Sequence, residues 1–290
     1  MVEYILGNYL TEKEIISKPQ LKQILEKMDG TRVKMGLLAV EEGMLTPQQA
    51  TEINRLQAVM DQRFGDIAVV KGFLTQEQVE SLLRKQGNGY LAFVQTLIDE
   101  EIMKLEEVNA LLAEFAAKNG FGENQIEDLK SDDVDRIIPL YIPKEAEKYT
   151  EIIGTIVRAL IRLVDRHTYI GTAEVGTDFP SEDKASQRLE WEDGLVDAFS
   201  EKDGGLLKLC SIFCKEEFEQ LDEDSLDAAG ELLNCANGLY VSALSRQGKF
   251  LELMPPELGE GEEETKSQDV CRVPVHLGDK SLYFTVAEIK

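Results

Sequence analysis

Two stretches of the sequence match each other at a distance of 29 residues: MGLLAVEEGMLTPQQATEINRLQ at residues 35–57 and FGDIAVVKGFLTQEQVESLLRKQ at residues 64–86. In each stretch a short apolar run ends at a glycine, and a threonine three residues later precedes a longer run with helical spacing. A glycine ends a helix readily because it adopts the left-handed backbone conformation, and a threonine caps the start of the next helix. Each stretch is therefore predicted to form a hairpin of two helices.

The same interval extends outward on both sides of these two stretches. Residues of similar type recur every 29 positions at Leu6, Met35, Phe64 and Phe93, at Ile16, Leu45, Leu74 and Met103, and at Leu21, Ala50, Val79 and Val108. One helical hairpin cannot bury its own apolar face, so neighbouring units must stack on each other. The sequence predicts an all-α array of four 29-residue helical hairpin repeats over residues 1–118.

Units two and three resemble a motif repeated in the N-terminal domain of type II secretion and type IV pilus ATPases. In unit three the match comprises Arg63, Phe64, Gly65, Gly72, Leu74, Thr75, Val79, Leu83 and Gln86, and unit two departs from the motif at Lys34, Ala50 and Asn54. Some members of that family bind cyclic di-GMP, so the resemblance implies this ligand, with Lys34 and Arg63 as candidate cations for its phosphates. The other interpretation is that the motif only builds the hairpin, which leaves the array as a scaffold or docking surface.

The repeat period fails after residue 118, and the composition changes. Residues 119–143 mix glycines, acidic residues and two prolines, which predicts a linker. Residues 144–290 then indicate a helix, about three strands, a second helix near residues 225–245 and three more strands. This order is typical of an α+β domain with an antiparallel sheet and two main helices. The alternation that predicts the third strand is carried by Leu207, Leu209, Ser211 and Phe213.

The second predicted helix has two unlike sides when it is projected at about 100° per residue. One side is an apolar stripe, and the other side carries Asp227, Glu231, Asn234 and Gly238. A helix face that only meets solvent commonly carries long charged residues, Lys and Arg among them. Here the face is acidic, bears an amide and is small at Gly238, which weakens a helix by about 1 kcal/mol relative to Ala. A small residue there would let another surface approach closely.

The sequence Glu231-Leu232-Leu233-Asn234 resembles the E-x-x-N active-site motif of the CheC, CheX and FliY chemotaxis phosphatases. The resemblance covers about residues 145–289 and implies a CheX-like domain that hydrolyses the aspartyl phosphate of a CheY-like response regulator. It also implies that Asn234 orients the attacking water and that Glu231 pairs with a lysine of the receiver. Asp227 and Gly238 are then positions on the rim of the partner-binding surface.

Members of that family often carry a second copy of the motif on the first helix. The corresponding segment here is Glu151-Ile152-Ile153-Gly154, which lacks the asparagine. One site is therefore expected, as in CheX. No cofactor is expected on this chain, because the resemblance places Mg²⁺ on the partner receiver. A homodimer joined at sheet edges is left open, since Pro274 suits an exposed edge or a bulge.

Two functions of different classes fit these features. The first is a phosphatase whose N-terminal repeats dock or regulate it. The second is a non-catalytic signalling adaptor that keeps the fold and uses the repeats, with cyclic di-GMP, to dock partners. The pair Glu231 and Asn234 favours the enzyme, since an adaptor has no reason to keep it.

Charge and composition exclude several other classes of function. The formal net charge of −24 makes nucleic acid and anionic membranes poor partners. No run of apolar residues reaches the roughly 18 that a membrane span requires. The four cysteines show no zinc-ligand spacing, so no metal site is expected. Together with the lack of a signal-peptide pattern at the start of the sequence, these features predict a cytoplasmic protein.

Overall fold

The structure is a computed structural model that describes residues 1–28, 33–60, 62–177, 184–190, 194–259 and 270–289, with only the backbone described at residues 58–60. The chain divides into two compact units, Val2–Asp132 and Asp133–Lys290. Helical structure fills most of residues 119–143, where a linker is predicted, and the division between the units falls within that segment. The described residues form helices and one antiparallel sheet.

The described part of the first unit is helical. Its helices are α1 (Val2–Glu12), α2 (Lys18–Met28), α3 (Met35–Glu41), α4 (Pro47–Met60), α5 (Phe64–Val70), α6 (Gln76–Arg84), α7 (Gly89–Asp99), α8 (Leu105–Asn119) and α9 (Glu123–Lys130). None of the helices in the described ranges of the chain is long and apolar enough to cross a membrane.

The predicted helix caps are present in the two central hairpins. Thr46 precedes α4 and accepts a hydrogen bond from the backbone N–H of Gln49 at 3.2 Å, while the Gln49 side chain accepts one from the Thr46 N–H at 2.8 Å. Thr75 and Gln78 make the same reciprocal pair before α6. Such a capping box satisfies two backbone donors that a helix start would otherwise leave without partners. The pairs fix where α4 and α6 begin.

The turn within each hairpin passes through one left-handed residue. Gly43 and Gly72 have φ of 64° and 71°, and the residues 29 positions outward, Glu14 and Glu101, have φ of 57° and 55°. A glutamate in this conformation is strained because its Cβ approaches the backbone. The backbone thus repeats at an interval of 29 residues even where glycine is absent. The interpretation as four sequence repeats stays a prediction.

Two glycines let α3 and α5 approach each other closely. A Cβ at Gly36 would lie 3.1 Å from the Phe64 ring, and a Cβ at Gly65 would lie 3.2 Å from the Met35 sulfur and 2.9 Å from Val79. The contact is reciprocal, since each helix places its glycine against the residue that precedes the other glycine. The helix α7 also packs against α1 and α2.

The second unit holds the sheet. Its helices are α10 (Val134–Ile137), α11 (Thr150–Leu163), α12 (Gly205–Cys214) and α13 (Glu223–Arg246), with 3-10 helices at Ile138–Tyr141 and Lys144–Tyr149. Its strands are β1 (Tyr169–Ile170), β2 (Glu174–Gly176), β3 (Lys184–Glu190), β4 (Leu195–Glu201), β5 (Glu252–Leu253), β6 (Glu257–Leu258), β7 (Val270–Leu277) and β8 (Lys280–Glu288).

The strands pair antiparallel in the order β1-β7-β8-β4-β3-β5, with β2 also on β7 and β6 also on β3. The predicted hairpin between the last two strands is present, since Leu277 pairs with Lys280 across a two-residue turn. In the centre of the sheet Phe199 of β4 lies opposite Phe284 of β8, with ring centroids 5.7 Å apart. The helix α13 packs against β3, β5 and β6 and against α11 and α12.

The prediction of a third strand through Leu207, Leu209, Ser211 and Phe213 is wrong, because these residues belong to α12. The side chains buried in α12 are Leu206, Leu209 and Cys210, which have helical spacing, so the alternation in the sequence is coincidental. Glu201 starts the helix by accepting hydrogen bonds from the backbone N–H groups of Gly204 and Leu206. The described residues of the second unit therefore form three helices of at least ten residues rather than two.

Candidate functional site

The face of α13 is set by a capping box at its start. The Asp222 carboxylate accepts a hydrogen bond from the Ser225 backbone N–H at 3.1 Å, and the Ser225 hydroxyl accepts one from the Asp222 N–H at 2.8 Å. The hydrogen bond from the Ser225 N–H also lowers the pKa of the Asp222 carboxyl. Because the start of the helix is fixed, the rotation of every later residue about the helix axis is fixed as well.

The two predicted sides of α13 are present. The predicted apolar stripe is buried, comprising Leu226, Ala229, Leu233, Ala236, Tyr240 and Leu244. On the other side Asp227 and Glu231 are exposed, and Asn234 and Gly238 are half-buried. Two further exposed residues of this helix, Cys235 and Leu239, lie beside them. The acidic and amide-bearing face is therefore open to a partner.

Glu231 and Asn234 lie less than one helical turn apart on that face. Three residues separate them, which corresponds to a rise of about 4.5 Å along the helix axis. Glu231 is exposed, whereas Asn234 lies partly beneath the surface at the side of α13 that meets β3. An exposed carboxylate thus lies next to an amide that the protein surrounds on one side.

The amide of Asn234 is held from below by the sheet. Gln187 of β3 donates a hydrogen bond from Nε2 to Oδ1 of Asn234 at 2.7 Å. The same nitrogen donates to the backbone carbonyl of Met254 at 2.8 Å. Because Oδ1 of Asn234 points toward Gln187, its NH₂ group is the part of the amide that is left for a ligand. An amide oxygen has two lone pairs, so Oδ1 can also accept a second hydrogen bond.

Two further buried groups complete this arrangement. Asn237, one turn after Asn234, donates from Nδ2 to Oε1 of Gln187 at 3.0 Å and to Oδ1 of Asp197 at 2.9 Å. Gln187 and Asp197 lie opposite each other on β3 and β4. Gln187 and Asn237 are fully buried, and Asp197 is 1% exposed. Four polar side chains therefore connect the floor of the helix–sheet interface to the open face of α13.

Gly238 lies beside Asn234 on the open face. A Cβ at this position would have no heavy atom within 4 Å, so the protein itself does not require glycine there. Asp227 is exposed one turn before Glu231. The structure thus places both predicted rim residues next to the two predicted catalytic residues.

The first helix of the unit, α11, does not repeat this site. Glu151 is exposed, and its carboxylate accepts a hydrogen bond from Nε2 of Gln247 at 3.3 Å. Gly154 replaces the asparagine and is buried next to the Arg158 guanidinium, which pairs with Asp135. The ion-paired guanidinium of Arg158 therefore occupies the place where a second amide would lie. The expectation of a single site stays a prediction.

The two candidate cations of the repeat array lie at the starts of separate helices. Lys34 precedes α3, and Arg63 precedes α5; both are exposed. The Lys34 ammonium pairs with the Asp99 carboxylate at 2.6 Å. An anionic ligand at Lys34 would therefore compete with Asp99. Among the described residues no group of His, Cys, Asp and Glu side chains could hold a metal ion.

Sequence reasoning missed Gln187, Asn237 and Asp197. Asn237 had a weak signal, since it follows Asn234 by the same three residues that separate Asn234 from Glu231. Gln187 and Asp197 had none, because a single polar residue in a strand pattern does not reveal which helix it will meet. The geometry alone brings them to Asn234.

No protein-family model matches the sequence, and no curated protein matches it either. About half of the chain resembles CheC-like and CheX proteins. A CheC-like superfamily protein from Shewanella sp. PV-4 has 14% identity and a TM-score of 0.41, and the match covers 51% of this chain and 99% of that one. A chemotaxis protein CheX from Desulfovibrio desulfuricans has 16% identity and a TM-score of 0.42 over 49% of this chain and 99% of that one.

A third similar structure is a chain of the CheX-CheY-BeF₃-Mg²⁺ complex from Borrelia burgdorferi. It has 17% identity and a TM-score of 0.40, and the match covers 48% of this chain and 96% of that one. Identities this low carry no information about activity, so the functional proposal rests on the side chains of α13. The resemblance of residues 35–86 to the secretion and pilus ATPases stays a prediction.

Proposed function

We propose that this protein is a phosphatase that hydrolyses the aspartyl phosphate of a CheY-like response regulator, with Glu231 and Asn234 as its site. The observation that carries the proposal is the pairing of an oriented amide with a free carboxylate on one open helix face. Asn234 is held by Gln187 at 2.7 Å, and Glu231 is exposed beside it. The family resemblance of the E-x-x-N motif supplies the same two residues.

The chemistry requires little from the phosphatase itself. The oxygen of a water molecule bonds to phosphorus in line as the bond from phosphorus to the aspartate oxygen breaks. The electron pair of that bond stays on the aspartate carboxylate, and phosphate leaves as H₂PO₄⁻ with both hydrogens of the water. The receiver supplies the aspartate and Mg²⁺. Positioning and charge stabilisation account for most of the catalysis in phosphoryl transfer.

Asn234 can position that water. The NH₂ group of Asn234 can donate to the oxygen of that water, whose second lone pair stays free to attack phosphorus. The second N–H of the same group can donate to a phosphoryl oxygen. A carboxylate at this position could accept but not donate, and its charge would oppose that of the phosphoryl group. An amide is therefore the suitable group.

Glu231 serves the encounter with the receiver. An exposed carboxylate pairs with a lysine of the receiver active site, and Asp224 and Asp227 add negative charge to the same helix. Charges at the rim of an interface steer the approach of a partner and fix its register. The N-terminal helices are proposed to dock or regulate the phosphatase.

The test is the rate at which a phosphorylated CheY-type receiver loses phosphate in Mg²⁺ buffer. The proposal expects faster loss with the wild-type protein and no acceleration with Asn234→Ala. Glu216→Gln is the matched control, because Glu216 is an exposed acid near α13 but not on it, and this variant should keep the acceleration. No acceleration by folded wild-type protein with several receivers would favour the adaptor.

A further inference from the structure

The hydrogen bonds beneath Asn234 form one directed chain. Both hydrogens of Asn237 Nδ2 are used, on Asp197 and on Gln187, and both hydrogens of Gln187 Nε2 are used, on Met254 and on Asn234. The distances lie between 2.7 and 3.0 Å. The side-chain amides of Gln187 and Asn237 therefore have both of their N–H donors occupied by acceptors of the protein itself.

This arrangement fixes the sense of each amide, because the backbone carbonyl of Met254 can only accept and therefore faces Nε2 of Gln187. Oε1 of Gln187 then faces Nδ2 of Asn237, which also donates to Asp197. If the Gln187 amide turned over, its oxygen would face the Met254 carbonyl and Oδ1 of Asn234, and its NH₂ would face that of Asn237. Facing acceptors and facing donors repel each other. The orientation of Asn234 is thus determined from inside the protein.

We infer that Gln187 and Asn237 are positioning residues for Asn234, and that they keep its carbonyl inward and its NH₂ group outward before a partner binds. This inference rests on the proposed function of Asn234. A free asparagine would populate both orientations of its amide, and only one of them offers the receiver the donor described above. Holding the group beforehand avoids reorganisation during the reaction.

The burial of these groups points to a role beyond stability. Gln187 and Asn237 are both 0% exposed, and Asp197, which lies opposite Gln187, is 1% exposed. Apolar residues there would avoid the desolvation of two amides. In addition, Oδ1 of Asn237 is buried with no hydrogen-bond partner among the described residues. The protein leaves this acceptor unsatisfied while both Nδ2 hydrogens of Asn237 serve the chain that leads to Asn234.

The first test is Gln187→Met, which keeps the length of the side chain and removes both donors. We expect kcat for receiver dephosphorylation to fall roughly 10- to 100-fold, with KM within about twofold of wild type, because orientation is lost but the docking surface is not. Ser186→Ala is the matched control, since Ser186 is a buried polar residue of the same strand whose side chain does not contact Asn234. It should retain the wild-type kcat.

The second variant, Gln187→Glu, distinguishes orientation from packing. An ionised glutamate cannot donate to Asn234, whereas a protonated one has a single O–H that can. Relative to wild type at each pH, its activity should be lowest under alkaline conditions and should recover as the pH falls. A ratio of variant to wild-type activity that does not change with pH would contradict the inference. A packing defect would not depend on the protonation of the introduced carboxyl group.

A spectroscopic measurement does not depend on activity, and its first readout is made on the wild-type protein. The side-chain amide protons of Gln187 should give two separate resonances that exchange slowly with solvent, since both are hydrogen-bonded and buried. Rapid exchange of these protons would overturn the inference. The Asn234 resonances, identified by their absence in Asn234→Ala, should shift in Gln187→Met while the backbone spectrum persists. Unchanged Asn234 resonances would also overturn it.

These results separate the inference from the proposed function. If wild-type protein does not accelerate phosphate loss, the proposed function fails, and the amide spectra alone decide whether Gln187 holds Asn234. If the protein is active and Gln187→Met retains full kcat with an unchanged Asn234 resonance, the inference fails and the proposed function stands.

Discussion

Gly238 lies in the interior of α13, where glycine weakens a helix, and no neighbouring atom of the protein requires it. We predict that Gly238→Ala raises the free energy of unfolding by about 1 kcal/mol, because alanine favours the helix. The same methyl group should obstruct a receiver that lies close to this face. We therefore expect Gly238→Ala to lower the affinity for the receiver about tenfold. This loss corresponds to roughly 1.4 kcal/mol, which lies within the usual cost of overpacking.

Urea unfolding and a binding titration with a beryllofluoride-activated receiver measure the two effects separately. Ser242→Ala is the control, since Ser242 is exposed one turn after Gly238 and the change adds no bulk. Gly238→Ala with greater stability and unchanged affinity would show that no partner approaches α13 at this point.

His276 of β7 makes the second unit sensitive to acid. Burial lowers the pKa of His276 to about 4, with the positive charge of Lys202 acting in the same direction and Asp203 opposing it. In the unfolded chain the pKa is about 6.5, so the unfolded state binds the proton first as the pH falls. The contribution of neutral His276 to stability is complete above about pH 6.5 and is lost as the pH falls toward 4.

We predict that His276→Phe reduces the acid sensitivity of the protein. The imidazole stacks on the Tyr169 ring with centroids 4.5 Å apart, a contact that phenylalanine can keep. Between about pH 7 and about pH 5, wild type should lose roughly 1 to 2 kcal/mol more unfolding free energy than the variant. Chemical unfolding at the two pH values measures this difference, and equal losses would contradict the prediction.

At the residue scale, the sequence predicted the acidic and amide-bearing face of α13 but not the side chains that support it. Periodicity places Asp227, Glu231 and Asn234 on one side of a helix, and no tertiary information is needed for that. The contact from Gln187 to Asn234 joins residues 47 positions apart, and it depends on strand register and helix placement together. Neither quantity follows from a local pattern.

At the scale of elements, α12 begins where its backbone meets β8. A Cβ at Gly205 would overlap the backbone carbonyl group of Ser281. We predict that Gly205→Ala lowers the free energy of unfolding by about 3 kcal/mol, because backbone on both sides leaves no room for relaxation. Gly238→Ala, the same change at an open position in α13, is the matched control and should be stabilising. Urea unfolding measures both, and similar effects would contradict this account of α12.

In the hairpin turns, introducing a glycine is predicted to stabilise the protein. Glu14 and Glu101 adopt the left-handed conformation that Gly43 and Gly72 adopt in the central hairpins. Glu14→Gly and Glu101→Gly should each stabilise the protein by about 0.5 to 1 kcal/mol, since relief of strain exceeds the added entropy of the unfolded chain. Thermal unfolding of each variant tests this.

Gly43→Ala is the converse control for those turns, and it should destabilise the protein by a similar amount. A steric clash does not explain the expected loss of stability, because a Cβ at Gly43 would contact nothing within 4 Å. A neutral result for the glutamate variants and for Gly43→Ala alike would mean that the backbone at these turns is not left-handed.

Prediction of elements succeeded where caps or long periodic runs were present. The helix predicted near residues 225–245 is α13, Glu223–Arg246, and the threonine caps of α4 and α6 lie where expected. It failed at α12, a ten-residue helix whose sequence also alternates with a period of two. A short apolar run carries both periods, and packing against β4 and β8 decides between them.

At the scale of the whole molecule, the charge of −24 favours a cationic partner surface. The second unit has two long helices that pack on each other, α11 and α13, and only α13 presents an amide on an open face. At the place on α11 where an amide would lie, the Arg158 guanidinium forms an ion pair with Asp135. Of the described residues of these two helices, only those of α13 therefore include the amide that the proposed site requires.

The central claim is that Asn234 acts on the reaction and Glu231 on the encounter, and one experiment measures both. Dephosphorylation of a receiver is followed at increasing concentrations of wild type, Asn234→Ala and Glu231→Gln. The account predicts that Asn234→Ala lowers the saturating rate about 100-fold or more with half-saturation within about twofold of wild type. Glu231→Gln should mainly raise the half-saturating concentration. A saturating rate for Asn234→Ala equal to that of wild type would contradict the account.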